Sequence, residues 1–340
     1  MHSAVVTGVL AGVAGYATVR LLMPPFLKFF RARGITRPDA HKPGRPEVVH
    51  AGGVVIFSGV VTAYLTWLLL EGLSEAFLKG AIILSAGLLC FLVGLVDDLK
   101  VLGGLTKTAL TVLGIMPIAV AALIEPRLIN WGRPALPLIG TLRLTVIYWA
   151  LLPLAVAGPA NVVNMLDVLN GVMPGTMLIA YSALAISAAI LGKEAALVVS
   201  LAVIGVLAAY YPYNAYPARV FNGDSGSLFL GALLGGLAVV EHMEFIALTL
   251  LLPHIINGFM VLVSFRGFRE HRLVPKRPIV VEEDGTLAPN TDPDAPLTLT
   301  RLVLILGGKA TEKEVARLYL LLELSAATLA LISALLLRGT

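Results

Sequence analysis

A single cysteine, Cys90, stands in 340 residues, and it lies inside an apolar run. No internal disulfide can form, which excludes a small secreted fold held by bridges. Charge is equally scarce. Asp, Glu, Lys and Arg make up 14% of the chain, where a soluble globular protein carries about 25%. Hydrophobic residues are 58% of the total and the mean hydropathy is +0.89. A soluble domain and a disordered chain are both excluded. The chain reads as a polytopic membrane protein. Its net charge of +4 does not point to nucleic acid, because basic residues of membrane proteins gather in loops on one side of the bilayer.

A spanning helix needs roughly 20 mostly apolar residues. Runs near 4–27, 51–70, 77–96, 108–124, 144–158, 175–191, 195–211, 227–241, 245–265 and 315–337 predict ten spans. The expected fold is all-α, one integral membrane domain over 1–340. The first run lacks a basic leader and a small-residue cleavage site, so it is expected to be a retained span. Ten spans put both termini on one side. The loops at 31–50, 97–107, 159–174, 212–226 and 266–314 hold sixteen Lys and Arg, and the opposite loops with Arg338 hold six. That asymmetry predicts the first set in the cytoplasm and both termini across the membrane.

All eight aspartates fall in that basic set of loops. Acidic residues contribute little to topology, so the bias points to a site. The longest of these loops, 266–314, is expected to hold a β-hairpin. Ile279-Val280-Val281 and Thr286-Leu287 flank the turn Asp284-Gly285. The apolar stretch 297–306 is too short to cross and predicts an interfacial helix or strand. No internal repeat is visible.

Five polar constellations interrupt the apolar pattern. Asp97-Asp98 ends a hydrophobic run, with Lys100 and Lys107 following. Adjacent carboxylates repel, and a hard cation such as Mg²⁺ relieves them, although a solvated helix end is the plainer reading. Asn161, Asn164, Asp167 and Asn170-Gly171 lie in a loop without basic residues, at spacings that place several on one helical face. Asn222-Gly223-Asp224-Ser225-Gly226-Ser227 precedes a span. Its glycines would admit a ligand, or its serines would simply cap the helix. Arg266, Arg269, His271, Arg272, Lys276 and Arg277 form a basic run, of which only His271 exceeds topological need. The first loop adds Asp39, His41, Lys42, Arg45 and Glu47. Together these groups suit a divalent cation and phosphates on one membrane face.

The motifs GLVDDLKVLGGLTK (94–107), NVVNMLDVLNG (161–171), VFNGDSGSLFLG (220–231) and the His-Arg pair at 271–272 resemble the polyprenyl-phosphate N-acetylhexosamine-1-phosphate transferases. Pro46-Glu47, Asn170-Gly171 and TLTRLVLILG (298–307) are similar to the dolichyl-phosphate GlcNAc-1-phosphate transferase branch, while Asp167 looks like the bacterial pattern and Glu270 departs from the eukaryotic one. The resemblance implies transfer of GlcNAc-1-phosphate from a UDP-sugar to polyprenyl or dolichyl phosphate, with release of UMP, as a first step of glycan assembly. It implies Mg²⁺, replaceable by Mn²⁺, on Asp224 and Asn164 with Asp167 beside them. It also implies Lys107 on phosphate, Asp97 and Asp98 toward the acceptor phosphate, and His271 and Arg272 by the sugar diphosphate. Glu47 and Asn170 would meet the uridine, with Asn161, Arg269 and Lys42 among the substrate contacts. Tunicamycin would inhibit; nucleic acid would not bind; a monomer and a homodimer both stay open. The rival classes are a transporter, which predicts an internal repeat and charges at mid-bilayer, and a nucleotide-alcohol lipid phosphotransferase, which predicts one dense aspartate motif.

Overall fold

The computed structural model describes residues 1–129, 132–264 and 276–338. Its spanning helices are α1 (His2–Ala32), α2 (Gly53–Glu71), α3 (Glu75–Leu99), α4 (Gly104–Thr111) continued through a 3₁₀ turn into α5 (Met116–Ile124), α6 (Thr145–Leu166), α7 (Val172–Leu191), α8 (Glu194–Asn214) and α9 (Gly223–Glu241). A tenth crossing is made by α10 (Glu244–Leu250) and α11 (Leu252–Ser264), and the chain closes with α13 (Glu312–Arg338). Among the described residues nine helices are long and apolar enough to cross a membrane, ten if the bent pair counts as one. The expected all-α polytopic architecture is present, with the ten predicted spans if the bent pair is one of them. The bend of 68° between α10 and α11 was not expected. Pro253, at the start of α11, has no N–H to continue the ladder across the break.

Packing explains the order of the helices. α9 is almost wholly buried, from Gly223 through Glu241, and α2, α3 and α6 pack around it. α1 runs parallel to α8. A Cβ on Gly12 would lie 2.7 Å from the Leu201 carbonyl, and Gly12 meets Gly205 directly, so small residues let these two backbones touch.

Short strands finish the loops. β1 (Thr36–Pro38) and β2 (Glu47–Val49) make an antiparallel ribbon in the first loop, and Val49 bridges to Val220. β3 (Ala135–Leu136) pairs with β4 (Gly140–Thr141) in the loop before α6. The expected hairpin is β5 (Ile279–Val281) with β6 (Thr286–Pro289), extended by β7 (Ala310–Thr311). The stretch at 297–306 is a helix, α12 (Leu299–Gly307), which resolves the helix-or-strand alternative. Leu287, Leu299 and Leu304 pack on Leu166, Val315 and Tyr319, so a second apolar core fastens this region to the ends of α6 and α13.

Candidate active site

The loops predicted to share one side do meet at one end of the bundle. Asp97 and Asp98 end α3, and neighbouring positions on a helix point about 100° apart. The two carboxylates therefore meet different partners. Asp98 turns into the start of α9. It accepts the Asp224 N–H at 2.7 Å, the Ser225 N–H at 3.2 Å and the Ser225 hydroxyl at 2.5 Å, while His50 Nε2 stands 3.1 Å away. The first N–H groups of a helix have no partner within it and attract negative charge, and Asp98 supplies both needs. Gly223 has φ +71°, and a Cβ there would collide with the Asp98 carboxylate.

This corrects two expectations. Neither Ser225 nor Ser227 caps α9, because Asp98 does, and Gly223 makes room for Asp98 rather than for a ligand. Asp98 is thus a positioning residue. It holds the turn that presents Asp224.

Asp97 faces the other way. Its Oδ1 accepts the Leu102 N–H at 2.6 Å, and its Oδ2 lies 3.7 Å from Lys107 Nζ. Lys107, on the first turn of α4, also pairs with Asp224. Asn164 hydrogen bonds toward Asp224 and donates to Ser227 Oγ at 2.9 Å. One lysine, two carboxylates and an amide from four separate helices converge here.

Asn161 serves that centre indirectly. Its Nδ2 donates to Thr111 Oγ1 and the Ala157 carbonyl, both at 2.8 Å, and its Oδ1 accepts from Thr108 at 3.1 Å. It is buried and saturated, pinning α4 beside Lys107 rather than offering itself to substrate.

The single helical face expected for Asn164, Asp167 and Asn170 is broken. α6 ends at Leu166 and Asp167 leaves helical geometry with ψ 67°, so the next residues diverge. Asp167 Oδ1 accepts from Asn222 Nδ2 at 2.8 Å. Burial pushes the Asp167 carboxyl up to about 7. The Asn222 bond opposes that shift, and the charges of Asp224 and Asp98 add to it. Asn222 Oδ1 is buried with no hydrogen-bond partner among the described residues. Hard oxygens are what Mg²⁺ takes, and Asp224, Asp97, Asn164, Asp167 and this unused amide oxygen supply them. Among the described residues no three His, Cys, Asp or Glu side chains stand close enough to cage a metal ion by themselves. Amide oxygens would have to share the coordination.

Asp167 also lines a cleft of about 810 Å³ between the first loop and the hairpin region. His41, Lys42, Arg45, Lys276, Arg277 and Asn257 line it as well, so Lys42, expected among the substrate contacts, does border the cleft. Burial pushes the His41 imidazole down to about 4, opposed by Asp39 and assisted by Arg277 and Lys42. His41 is therefore neutral at physiological pH.

Asn170 diverges into a buried knot. Its Oδ1 accepts Lys42 Nζ at 2.6 Å and the Ala218 N–H at 2.8 Å, its Nδ2 donates to Asp39 at 3.3 Å, and its backbone N–H donates to Glu312 Oε1 at 2.8 Å. Lys42 pairs with Asp39 and, at 3.2 Å, with Glu312. Neither Asn170 nor Glu47, which is exposed on β2, lines the cleft. Glu47 stands opposite Pro38 in the ribbon, one residue from the Asp39 that Asn170 holds. Glu312 escaped the sequence reading, and His50 reads there as a structural or solvated histidine. An acidic residue opening a helix is ordinary, and a histidine three residues beyond Glu47 carries no spacing signal of its own. Arg269, His271 and Arg272 lie outside the described residues.

Comparison with known proteins gives the family. The model of the glycosyl transferase family 4 matches residues 80–242, the stretch holding Asp97, Lys107, Asn164 and Asp224. A protein of Saccharolobus solfataricus is 30% identical over 233 residues, covering 67% of this chain and 70% of its own. It bears, provisionally, the name UDP-N-acetylglucosamine–dolichyl-phosphate N-acetylglucosaminephosphotransferase. The phospho-N-acetylmuramoyl-pentapeptide-transferase of Shouchella clausii is 26% identical over 277 residues, 76% of this chain and 82% of its own. With the motifs, the ten crossings and these relatives in accord, the chain belongs to glycosyl transferase family 4.

Proposed function

We propose that the protein transfers N-acetylhexosamine-1-phosphate, GlcNAc-1-phosphate first among the candidates, from a UDP-sugar to a polyprenyl or dolichyl phosphate. The observation that carries this reading is the convergence of Asp97, Lys107, Asn164 and Asp224 at the membrane end, joined through Asn222 and Asp167 to a cleft lined by cations. Both substrates are anionic, so charge repulsion opposes their meeting. Lys107 offsets it at the centre, and Arg45, Lys276 and Arg277 offset it along the cleft.

The acceptor phosphate oxygen forms a bond to the β-phosphorus while the bond from that phosphorus to the bridging oxygen breaks, and UMP departs with the electron pair. A phosphate monoester with a second pKa of about 6 is largely dianionic at neutral pH. No strong base is required, and Asp97 orients the acceptor through Lys107. Bound Mg²⁺, held by Asp224 with the oxygens of Asn164, Asn222 and Asp167, would polarise the donor diphosphate. The basic loops favour the cytoplasmic face for this chemistry, as the distribution of Lys and Arg supports.

The test is direct. Purified protein with UDP-GlcNAc, polyprenyl phosphate and Mg²⁺ should release UMP and yield the lipid diphosphate sugar, and tunicamycin should stop it. UMP release without lipid product, or no turnover with any UDP-N-acetylhexosamine, would remove the assignment.

A further inference from the structure

Arg20 stands on α1 among exposed residues. Gly12 meets Gly205 on the parallel α8, and equal steps along both helices bring Arg20 level with Tyr213. The Arg20 guanidinium carbon lies 5.6 Å from the centre of the Tyr213 ring. Arg219, in the turn after α8, places its own 4.4 Å from the same ring. The two guanidinium carbons are thus no more than about 10 Å apart. Both arginines are exposed, and among the described residues no ion pair involves either of them.

The depth of this pair is fixed by α8. Its 21 residues extend about 30 Å at 1.5 Å each, the thickness of a hydrocarbon core. Tyr213 is the residue before its end, so both guanidiniums sit where hydrocarbon gives way to headgroups. The rest of the stripe agrees. Tyr16, Val13 and Val9 precede Arg20 at steps of four, seven and eleven, on one helical face, and all three are exposed. Arg31 follows three turns beyond Arg20, also exposed. One ridge of α1 is apolar within the bilayer and basic at its boundary.

Each guanidinium rests on the π-face of the ring, which leaves its N–H fork open to an oxygen anion, and a guanidinium matches phosphate oxygens in paired hydrogen bonds. We propose that Arg20, Tyr213 and Arg219 form a binding site for the phosphate of an anionic bilayer lipid, whose acyl chain lies along Tyr16, Val13 and Val9. The site occupies the α1–α8 flank, whereas Asp97, Lys107 and Asp224 belong to α3, α4 and α9. It is a lipid site distinct from the reacting centre.

Native mass spectrometry of the delipidated full chain, titrated with phosphatidylglycerol or phosphatidylcholine, tests it. Phosphatidylglycerol should fill one preferred site, and phosphatidylcholine should not. The R20Q/R219Q variant should bind phosphatidylglycerol about 10- to 30-fold more weakly, at the scale of two interfacial cations, and R20K/R219K should retain most of the affinity. If the double glutamine variant fails to fold, R219Q in its exposed turn should still show a several-fold loss. Unchanged binding in the glutamine variants, equal binding of phosphatidylcholine, or displacement of the lipid by millimolar inorganic phosphate would overturn the proposal.

Discussion

The Asp97–Lys107–Asp224 centre and the Lys42–Asp39–Asn170–Glu312 knot contain the same ingredients: one lysine between two carboxylates, with an asparagine alongside. They differ in what remains unused. In the knot, Lys42 reaches three oxygens, both ends of the Asn170 amide are engaged, and backbone N–H groups of Asn170, His41 and Ala218 complete the shell. In the centre, Asp97 is 3.7 Å from its lysine and hydrogen bonds with Asp224, while Asn222 Oδ1 accepts nothing among the described residues. A polar cluster closed on itself fixes structure, and one with spare lone pairs can take a ligand. The same residue types thus hold the fold in one place, where Lys42 alone borders the cleft, and stand ready for chemistry in the other.

The largest effect is expected at Asp224. Asp224→Ala should lower kcat/KM on the order of 10³-fold with little change in thermal stability, and Asp224→Asn should recover little. EDTA should silence the wild type and Mg²⁺ restore it; full turnover in EDTA would strip the centre of its metal. Glu312→Ala should do the reverse. It leaves Lys42 and the Asn170 N–H short of a buried partner, which costs about 3–5 kcal/mol of stability, while each folded molecule keeps kcat/KM within about threefold. A hundredfold catalytic defect in folded Glu312→Ala protein would place the knot in the active site after all.

The adjacent pair offers a finer test. Asp98→Ala should cost about 1–3 kcal/mol by leaving the first N–H groups of α9 unpaired, whereas Asp97→Asn should leave the melting temperature alone and slow turnover. Matching stability losses in the two variants would mean that they share one role. The smallest effect belongs to His41. Its folded pKa, about 4, lies below its ordinary 6.5, so the unfolded chain takes up the proton first as pH falls. Its contribution to stability is present above about 6.5 and is lost between there and about 4. His41→Gln should flatten that part of the melting-temperature profile, and an unchanged slope would show that other groups set it.

Much of this was legible in the sequence, and the limit is instructive. Hydropathy located the spans because twenty apolar residues have few alternatives in a bilayer. The Asp284-Gly285 turn and its β-branched flanks gave the hairpin. Motif order identified Asp97, Lys107, Asn164 and Asp224 as a group. Periodicity then misled at Asn170, since a helical face can be projected only as far as the helix runs and α6 stops at Leu166. Nor could spacing separate Asp97 from Asp98, whose difference lies in the distant turn at 223–225. Glu312 joins Asn170 across 142 residues, a pairing that no local pattern records.

The burial of α9 bears on how the protein is made. It is the eighth crossing in chain order, yet the earlier helices α2, α3 and α6 pack against it. Val49 likewise waits for Val220 before its bridge can close. At roughly 5–20 residues per second, a ribosome needs on the order of ten to thirty seconds to cover that interval. Until α9 arrives, the faces of α2, α3 and α6 that pack on it lack that partner. Lipid, the insertion machinery or a chaperone must shelter their inward faces until the eighth arrives.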